Sequence, residues 1–180
     1  MSTDLDAEEL KFLAMGASRA NSPEQALVYL KHALQAAPED GELLYLLAAE
    51  HAQLGMYDRA AEEMTRALAL RPDMYTARLQ LGLLHLGAAR VDAATDTLRP
   101  LTNLDANNCF HHFALGLEHL MRDRFSACRS ALEQGIALNN VNAPLNGDMR
   151  KIIDALPDDS VAENEGNVWL SAYRQDDASH

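Results

Sequence analysis

The chain has 180 residues, of which 48% are hydrophobic and 23% charged, a composition typical of a folded globular protein with its own core. Fifteen Lys and Arg residues against 27 Asp and Glu residues give a formal net charge of -12. A chain this acidic repels nucleic-acid phosphates and anionic lipid surfaces. We therefore expect neither nucleic acid nor a membrane as its partner.

The first residues show neither the basic start nor the apolar run of a secretory signal. No stretch approaches the about 20 apolar residues that a membrane-spanning helix needs. The protein is therefore expected to be cytoplasmic. Its two cysteines, Cys109 and Cys128, are too few for a disulfide framework and lack the neighbouring ligands of a zinc site, so they are interpreted as reduced thiols.

Helical signals begin near the N-terminus, where Ser22 is expected to cap a helix that has Pro23 in its first turn. Apolar residues then follow helical spacing in 43–54 and again in 60–70. Breaks at Gly55, Ala89 and Asp123 mark the points where one helix should pass to the next. The sequence thus predicts a succession of short helices in pairs.

The C-terminal part departs from this pairing. Asn142 and Pro144 on one side and Pro157 on the other predict a single helix over 143–156, whose apolar face would cover the open end of the helical array. Residues 157–180 are expected to form an acidic tail with a short helix around Trp169.

An internal repeat organises the chain. Pro38 and Pro72 occupy equivalent positions near the ends of successive repeats, and small residues recur at the same interval, at Ala26, Ala60, Ala94 and Cys128. Such a period, about 34 residues, indicates stacked helix pairs. It predicts four repeats, 7–40, 41–74, 75–108 and 109–142, and hence a repeat region that occupies residues 1–141.

This pattern resembles the tetratricopeptide (TPR) family over about residues 7–140. The Leu-Gly pair of that family is matched by Leu13-Ala14, Leu47-Ala48, Leu81-Gly82 and Leu115-Gly116. The resemblance implies an all-α fold, a right-handed TPR superhelix or α-solenoid of about four helix-turn-helix repeats, followed by C-terminal helices.

In the TPR family the first helix of each repeat lines a concave groove. Carrying the outward positions of that helix over to repeats two to four predicts an apolar groove, whose residues are Tyr45, Ala49, Leu79, Leu83, Leu86, Phe110, Phe113, Leu117, Leu120 and Met121. The first repeat differs, because its equivalent positions are Lys11, Met15, Ser18 and Arg19.

An apolar surface left open by the fold predicts a binding site for protein. We expect a non-enzymatic interaction module or adaptor that binds a helical or extended peptide segment of another protein. Two alternatives stay open. The chain could be a TPR-type secretion chaperone for apolar segments of exported proteins. It could also be a self-associating scaffold, such as a homodimer, whose groove holds its own or a neighbour's C-terminal segment.

The sequence argues against one function of the TPR family, the capture of acidic chaperone tails. TPR domains that capture acidic chaperone tails use a clamp of Lys, Arg and Asn side chains. The equivalent positions here are Lys11, Met15, Leu46, Thr76 and Gln80. Only Lys11 matches, so capture of an acidic tail is not expected.

Three histidines, His51, His85 and His119, recur at the repeat interval where the family has Tyr. Packed helices lie about 8–10 Å apart or more, whereas zinc needs each nitrogen at about 2.1 Å, so a shared metal ion is not expected. Local hydrogen bonding is the favoured interpretation, and sensitivity to pH is the alternative. No catalytic constellation is recognised, so we expect no enzyme activity, no cofactor and no metal.

Overall fold

Helices dominate residues 5–157, the part of the chain that the computed structural model describes, and no strand occurs among them. The predicted acidic tail, with its short helix, falls almost wholly outside these residues. The helices are α1 (Ala7–Arg19), α2 (Pro23–Ala36), α3 (Gly41–Gln53), α4 (Tyr57–Leu70), α5 (Tyr75–Gly87), α6 (Val91–Thr102), α7 (Cys109–Leu120), α8 (Phe125–Leu138) and α9 (Ala143–Ala155). None of them is long and apolar enough to cross a membrane.

The turn inside each repeat has the same backbone conformation. Asn21, Gly55, Ala89 and Asp123 all have positive φ, between 54° and 73°, and they follow one another at the repeat interval. A left-handed residue directly after a helix reverses the chain within a few residues. Ala89 adopts this conformation at a cost of about 1 kcal/mol, because its Cβ is crowded there. The turns predicted at Gly55, Ala89 and Asp123 are confirmed.

Side-chain caps begin several of the helices. The Asp6 carboxylate accepts a hydrogen bond from the Glu9 backbone N–H (2.8 Å), and the Glu9 carboxylate accepts one from the Asp6 N–H, which completes a capping box. The Asp40 carboxylate caps α3. Ser22 occupies the N-cap of α2, but its side chain makes no capping hydrogen bond. Pro23 follows it as the first helical residue, so the predicted cap residue and helix start are confirmed.

Residues 5–84 belong to one compact unit, in which α1 packs on α2, α2 on α3, and α3 on α4. Its core has two clusters of aliphatic side chains. The first cluster, from α1 to α3, consists of Leu10, Ala14, Leu27, Leu30, Ala33, Leu43 and Leu47. The second, from α3 to α5, consists of Ala48, Ala60, Ala61, Met64, Leu68, Ala77 and Leu81.

The described residues from His85 to Pro157 belong to the second unit, in which α7 packs on α6 and α8, and α8 on α9. Helix α9 buries the face predicted for it, with Met149, Ile152, Ile153 and Leu156 all inaccessible to solvent or nearly so. The turn before α9 is held by the buried Asn139, whose amide donates to Asn142 O (2.9 Å) and to Asn146 Oδ1 (2.8 Å).

Glycine allows the closest helix contact of the second unit. A Cβ added to Gly116 in α7 would lie only 2.5 Å from Leu132 Cδ2 of α8, well inside van der Waals contact. Gly147 in α9, by contrast, has no atom within 4 Å of the position a Cβ would take. The two glycines therefore differ in whether a side chain can be accommodated.

We expect Gly116→Ala to lower the free energy of unfolding by about 1–3 kcal/mol, because α7 and α8 must separate or Leu132 must leave its rotamer. The matched variant Gly147→Ala should raise it by about 0.5–1 kcal/mol, because alanine favours the helix and meets no obstruction. Urea denaturation followed by circular dichroism measures both. Equal effects of the two substitutions would contradict the close contact.

Candidate protein-binding face

The structure divides the ten predicted groove residues by exposure. Half of them are partly exposed, namely Tyr45, Ala49, Leu83, Phe110 and Met121. The other half are buried, namely Leu79, Leu86, Phe113, Leu117 and Leu120. Burial also raises the pKa of the Tyr45 phenol above its ordinary value.

The expectation that all ten side chains are open to a partner is therefore wrong. Phe113 is 0% exposed, and its ring fills the space over Gly135 of α8, where an added Cβ would collide with it. Leu117 and Leu120 follow Phe113 at intervals of four and three residues, so they share its side of α7. This stripe is part of the core between α7 and α8.

The first repeat also differs from a clamp for acidic tails. Lys11 donates to Glu8 (2.9 Å) and to Glu42 of α3 (3.4 Å). These contacts, above all the hydrogen bond to Glu8, raise the pKa of the Lys11 ammonium. The charge is used to join α1 to α3, which supports the expectation that no acidic tail is captured here.

A small cavity lies among α1, α2 and α3, within the first unit. Its volume is about 180 Å³. The lining residues, which define the Glu50 cavity, are Ala14, Met15, Ser18, Arg19, Leu30, Leu46 and Glu50. Three of them, Met15, Ser18 and Arg19, are the positions that the sequence assigns to the groove of the first repeat.

The Glu50 carboxylate is the unusual member of this cavity. The residue is only 4% exposed, and its Oε2 atom has no hydrogen-bond partner among the described residues. Sequence reasoning did not find Glu50, although a signal was present. Together with His51 it interrupts an otherwise apolar stretch of a helix that the periodicity predicts to be largely buried.

A second buried carboxylate in the same unit is fully engaged. Glu63 of α4 accepts a hydrogen bond from Nδ1 of His51 (2.6 Å), and its other oxygen accepts one from Arg59 Nε (3.3 Å). Both His51 and Glu63 are buried. The expected local hydrogen bond is thus confirmed for His51, and it joins the two helices of the second repeat.

The other two histidines of the series have no such partner. Nδ1 of His85 and Nδ1 of His119 are buried without a hydrogen bond among the described residues. Burial, together with the nearby Arg90 charge, lowers the pKa of His85. Within residues 5–157 no group of three or more His, Cys, Asp or Glu side chains could hold a metal ion.

We expect Glu63→Ala to lower the free energy of unfolding by about 1–3 kcal/mol, because it leaves the buried His51 Nδ1 without a partner. Glu62→Ala removes a carboxylate from an exposed position of the same helix and should change stability by less than about 0.5 kcal/mol. Chemical denaturation at neutral pH compares the two. A negligible effect of Glu63→Ala would contradict the structural role of the pair.

The two thiols lie in different surroundings. Cys128 is fully buried, and desolvation raises its pKa to about 12. Cys109 is partly exposed, and burial raises its pKa as well. Because the thiolate is the reactive form, neither group is activated, and Cys128 is also inaccessible.

A thiol reagent such as Ellman's at mildly alkaline pH should therefore label Cys109 slowly in the folded protein and leave Cys128 unmodified. In denaturant both thiols should react. The variant Cys109→Ser should show no reaction until it unfolds. Labelling of Cys128 in the folded protein, detected by mass spectrometry, would contradict its burial.

Comparison with known proteins agrees with this architecture. Residues 51–115 match the family model of the tetratricopeptide repeat. No curated protein matches the chain by sequence. The resemblance to the tetratricopeptide family is confirmed, and the predicted fold class, all-α with TPR-type helix pairs, is confirmed with it.

Solved structures with the same fold include three proteins that can be compared along most of the chain. MamA from Desulfovibrio magneticus RS-1 is 24% identical, with 82% of this chain and 85% of that chain covered and a TM-score of 0.61. PilF of Pseudomonas aeruginosa is 21% identical, with 84% and 71% covered and a TM-score of 0.63. YrrB, described as a TPR protein with an unusual peptide-binding site, is 19% identical, with 81% and 74% covered and a TM-score of 0.59. At these identities the likeness concerns the fold.

Proposed function

We propose that this chain is a non-enzymatic protein-interaction module, an adaptor that binds a peptide or helical segment of a partner protein on the face formed by α1 and α3. The observation that carries the proposal is the Glu50 cavity. Most of its exposed lining is apolar, and Ser18, Arg19 and Glu50 supply its polar groups, the combination found in sites that bind another molecule. TPR-type repeats commonly present such surfaces to partner proteins.

Groove positions of the second repeat support this location. Tyr45 and Ala49 are partly exposed, and each directly precedes a cavity residue, Leu46 or Glu50. A segment laid across α1 and α3 would meet an aromatic ring, aliphatic side chains and one cavity. These are the elements of recognition by a few apolar anchors.

A self-associating scaffold is the second candidate, because one exposed apolar patch on the first unit favours it. Phe12 is 72% exposed, and Leu5 and Leu13 beside it are 45% and 37% exposed. Large apolar side chains grouped at a surface are a common feature of interfaces. A role as a secretion chaperone stays a prediction, since it would need a partner with apolar export segments.

The test compares variants of the full chain as bait for proteins of the source cell. Met15→Glu places a charge in the Glu50 cavity, and Val28→Glu places the same charge on an exposed position of α2. A partner recovered with the wild type and with Val28→Glu, but reduced about tenfold or more with Met15→Glu, is expected. Circular dichroism should show unchanged helicity in both variants.

Equal recovery with all three baits would place the binding site elsewhere. Light scattering on the purified protein distinguishes the second candidate. A defined oligomer that Phe12→Ser converts to a monomer, with no partner recovered by any bait, would support self-association over the adaptor function.

A further inference from the structure

We propose that the Glu50 cavity receives the side chain of a Lys or Arg residue of the partner polypeptide, with the Glu50 carboxylate as its counter-charge. This inference rests on the proposed function and specifies the chemistry that the partner must supply. It follows from the burial of one carboxylate, the shape and lining of the cavity, and the charge of the chain.

The two buried glutamates of the first unit provide the main argument. Glu63 is 7% exposed, and its two oxygens are satisfied by His51 and Arg59. Glu50 is buried more deeply, yet its Oε2 has no partner among the described residues. A buried carboxylate oxygen without a partner is costly, so a donor that arrives with a ligand gains a strong interaction there.

The cavity is suited to one long side chain. Its volume of about 180 Å³ is below the roughly 300 Å³ at which sites for small-molecule ligands begin. Met15, Leu30 and Leu46 form apolar walls along which the methylene groups of Lys or Arg can pack. The cationic head then reaches the Glu50 carboxylate, where a charge-assisted hydrogen bond forms.

Arg19 is the one other charged residue of the lining, and no ion pair joins it to Glu50 in the described part of the chain. It is exposed on the last turn of α1, so water solvates its charge while the Glu50 carboxylate is shielded. The formal net charge of -12 for the whole chain attracts basic segments and repels acidic ones. Both features favour a cation at Glu50.

The test is a selection from a library of random peptides displayed on phage, carried out in parallel on the wild-type full chain and on Glu50→Gln. Glutamine keeps the size of the side chain and removes its charge. Peptides selected by the wild type should carry Lys or Arg at one fixed position between apolar residues. Peptides selected by Glu50→Gln should keep the apolar residues and lose the basic one.

A selected peptide, synthesised with norleucine in place of its basic residue, provides a second measurement. Its affinity for the wild type, measured by titration calorimetry, should fall by about tenfold. On the Glu50→Gln variant, the norleucine peptide and the parent peptide should bind with nearly equal affinity, since the pair between the basic residue and Glu50 is already broken there. Glu62→Gln, an exposed change on α4, should behave as the wild type.

The outcomes separate the inference from the function beneath it. Peptides that bind the wild type, lose binding with Met15→Glu, and show no preference for Lys or Arg would overturn the role of Glu50 and leave the adaptor function standing. Failure to select any peptide with the wild type would overturn both. An equal loss from norleucine with wild type and Glu50→Gln would place the basic residue at another carboxylate.

Discussion

Close approach of paired helices is the constraint on which the rest of this structure depends. In repeats one, two and four, both helices lie within one unit. The first helix of each has a buried small residue where it contacts the second, namely Ala14, Ala48 and Gly116. The second helix of each of these repeats also has a small buried residue, namely Ala26, Ala60 and Cys128, which are 0% exposed. Helices this close must be joined by a short turn, and a left-handed residue at each turn provides it.

Tight pairing leaves little room for polar groups, so each buried one must be accounted for. His51 and Glu63 form a hydrogen bond with each other, and this bond connects α3 to α4. Glu50, one residue before His51, faces the other way and lines a cavity instead. The same helix therefore carries a satisfied polar pair on its inner side and an unsatisfied carboxylate on the side we assign to a partner.

The proposed function depends on the Glu50 cavity, since the fold alone serves many unrelated complexes. The solved structures that resemble it share less than a quarter of its residues, so they inform its architecture and leave its partner open. Our proposal for the Glu50 cavity specifies the chemistry of that partner, a basic residue between apolar anchors.

Much of the architecture was readable from the sequence. The repeat period, the small residues at helix contacts and the turns at Gly55, Ala89 and Asp123 all depend on local preferences and on spacing along the chain. Such features repeat whenever the same residues return at the same interval. The helix starts at residues 41, 75 and 109 follow from the same regularity.

Only the tertiary structure decided which side chains are buried and which polar groups find partners. Phe113, Leu117 and Leu120 were expected on the open face, but Gly135 of α8 leaves a space that the Phe113 ring fills, and the whole stripe joins the core. The repeat period places His85 and His119 at the position of His51, yet only a Glu on the facing helix gives His51 its bond. Burial and pairing depend on what the facing helix contributes, and a pattern read along one helix does not contain that information.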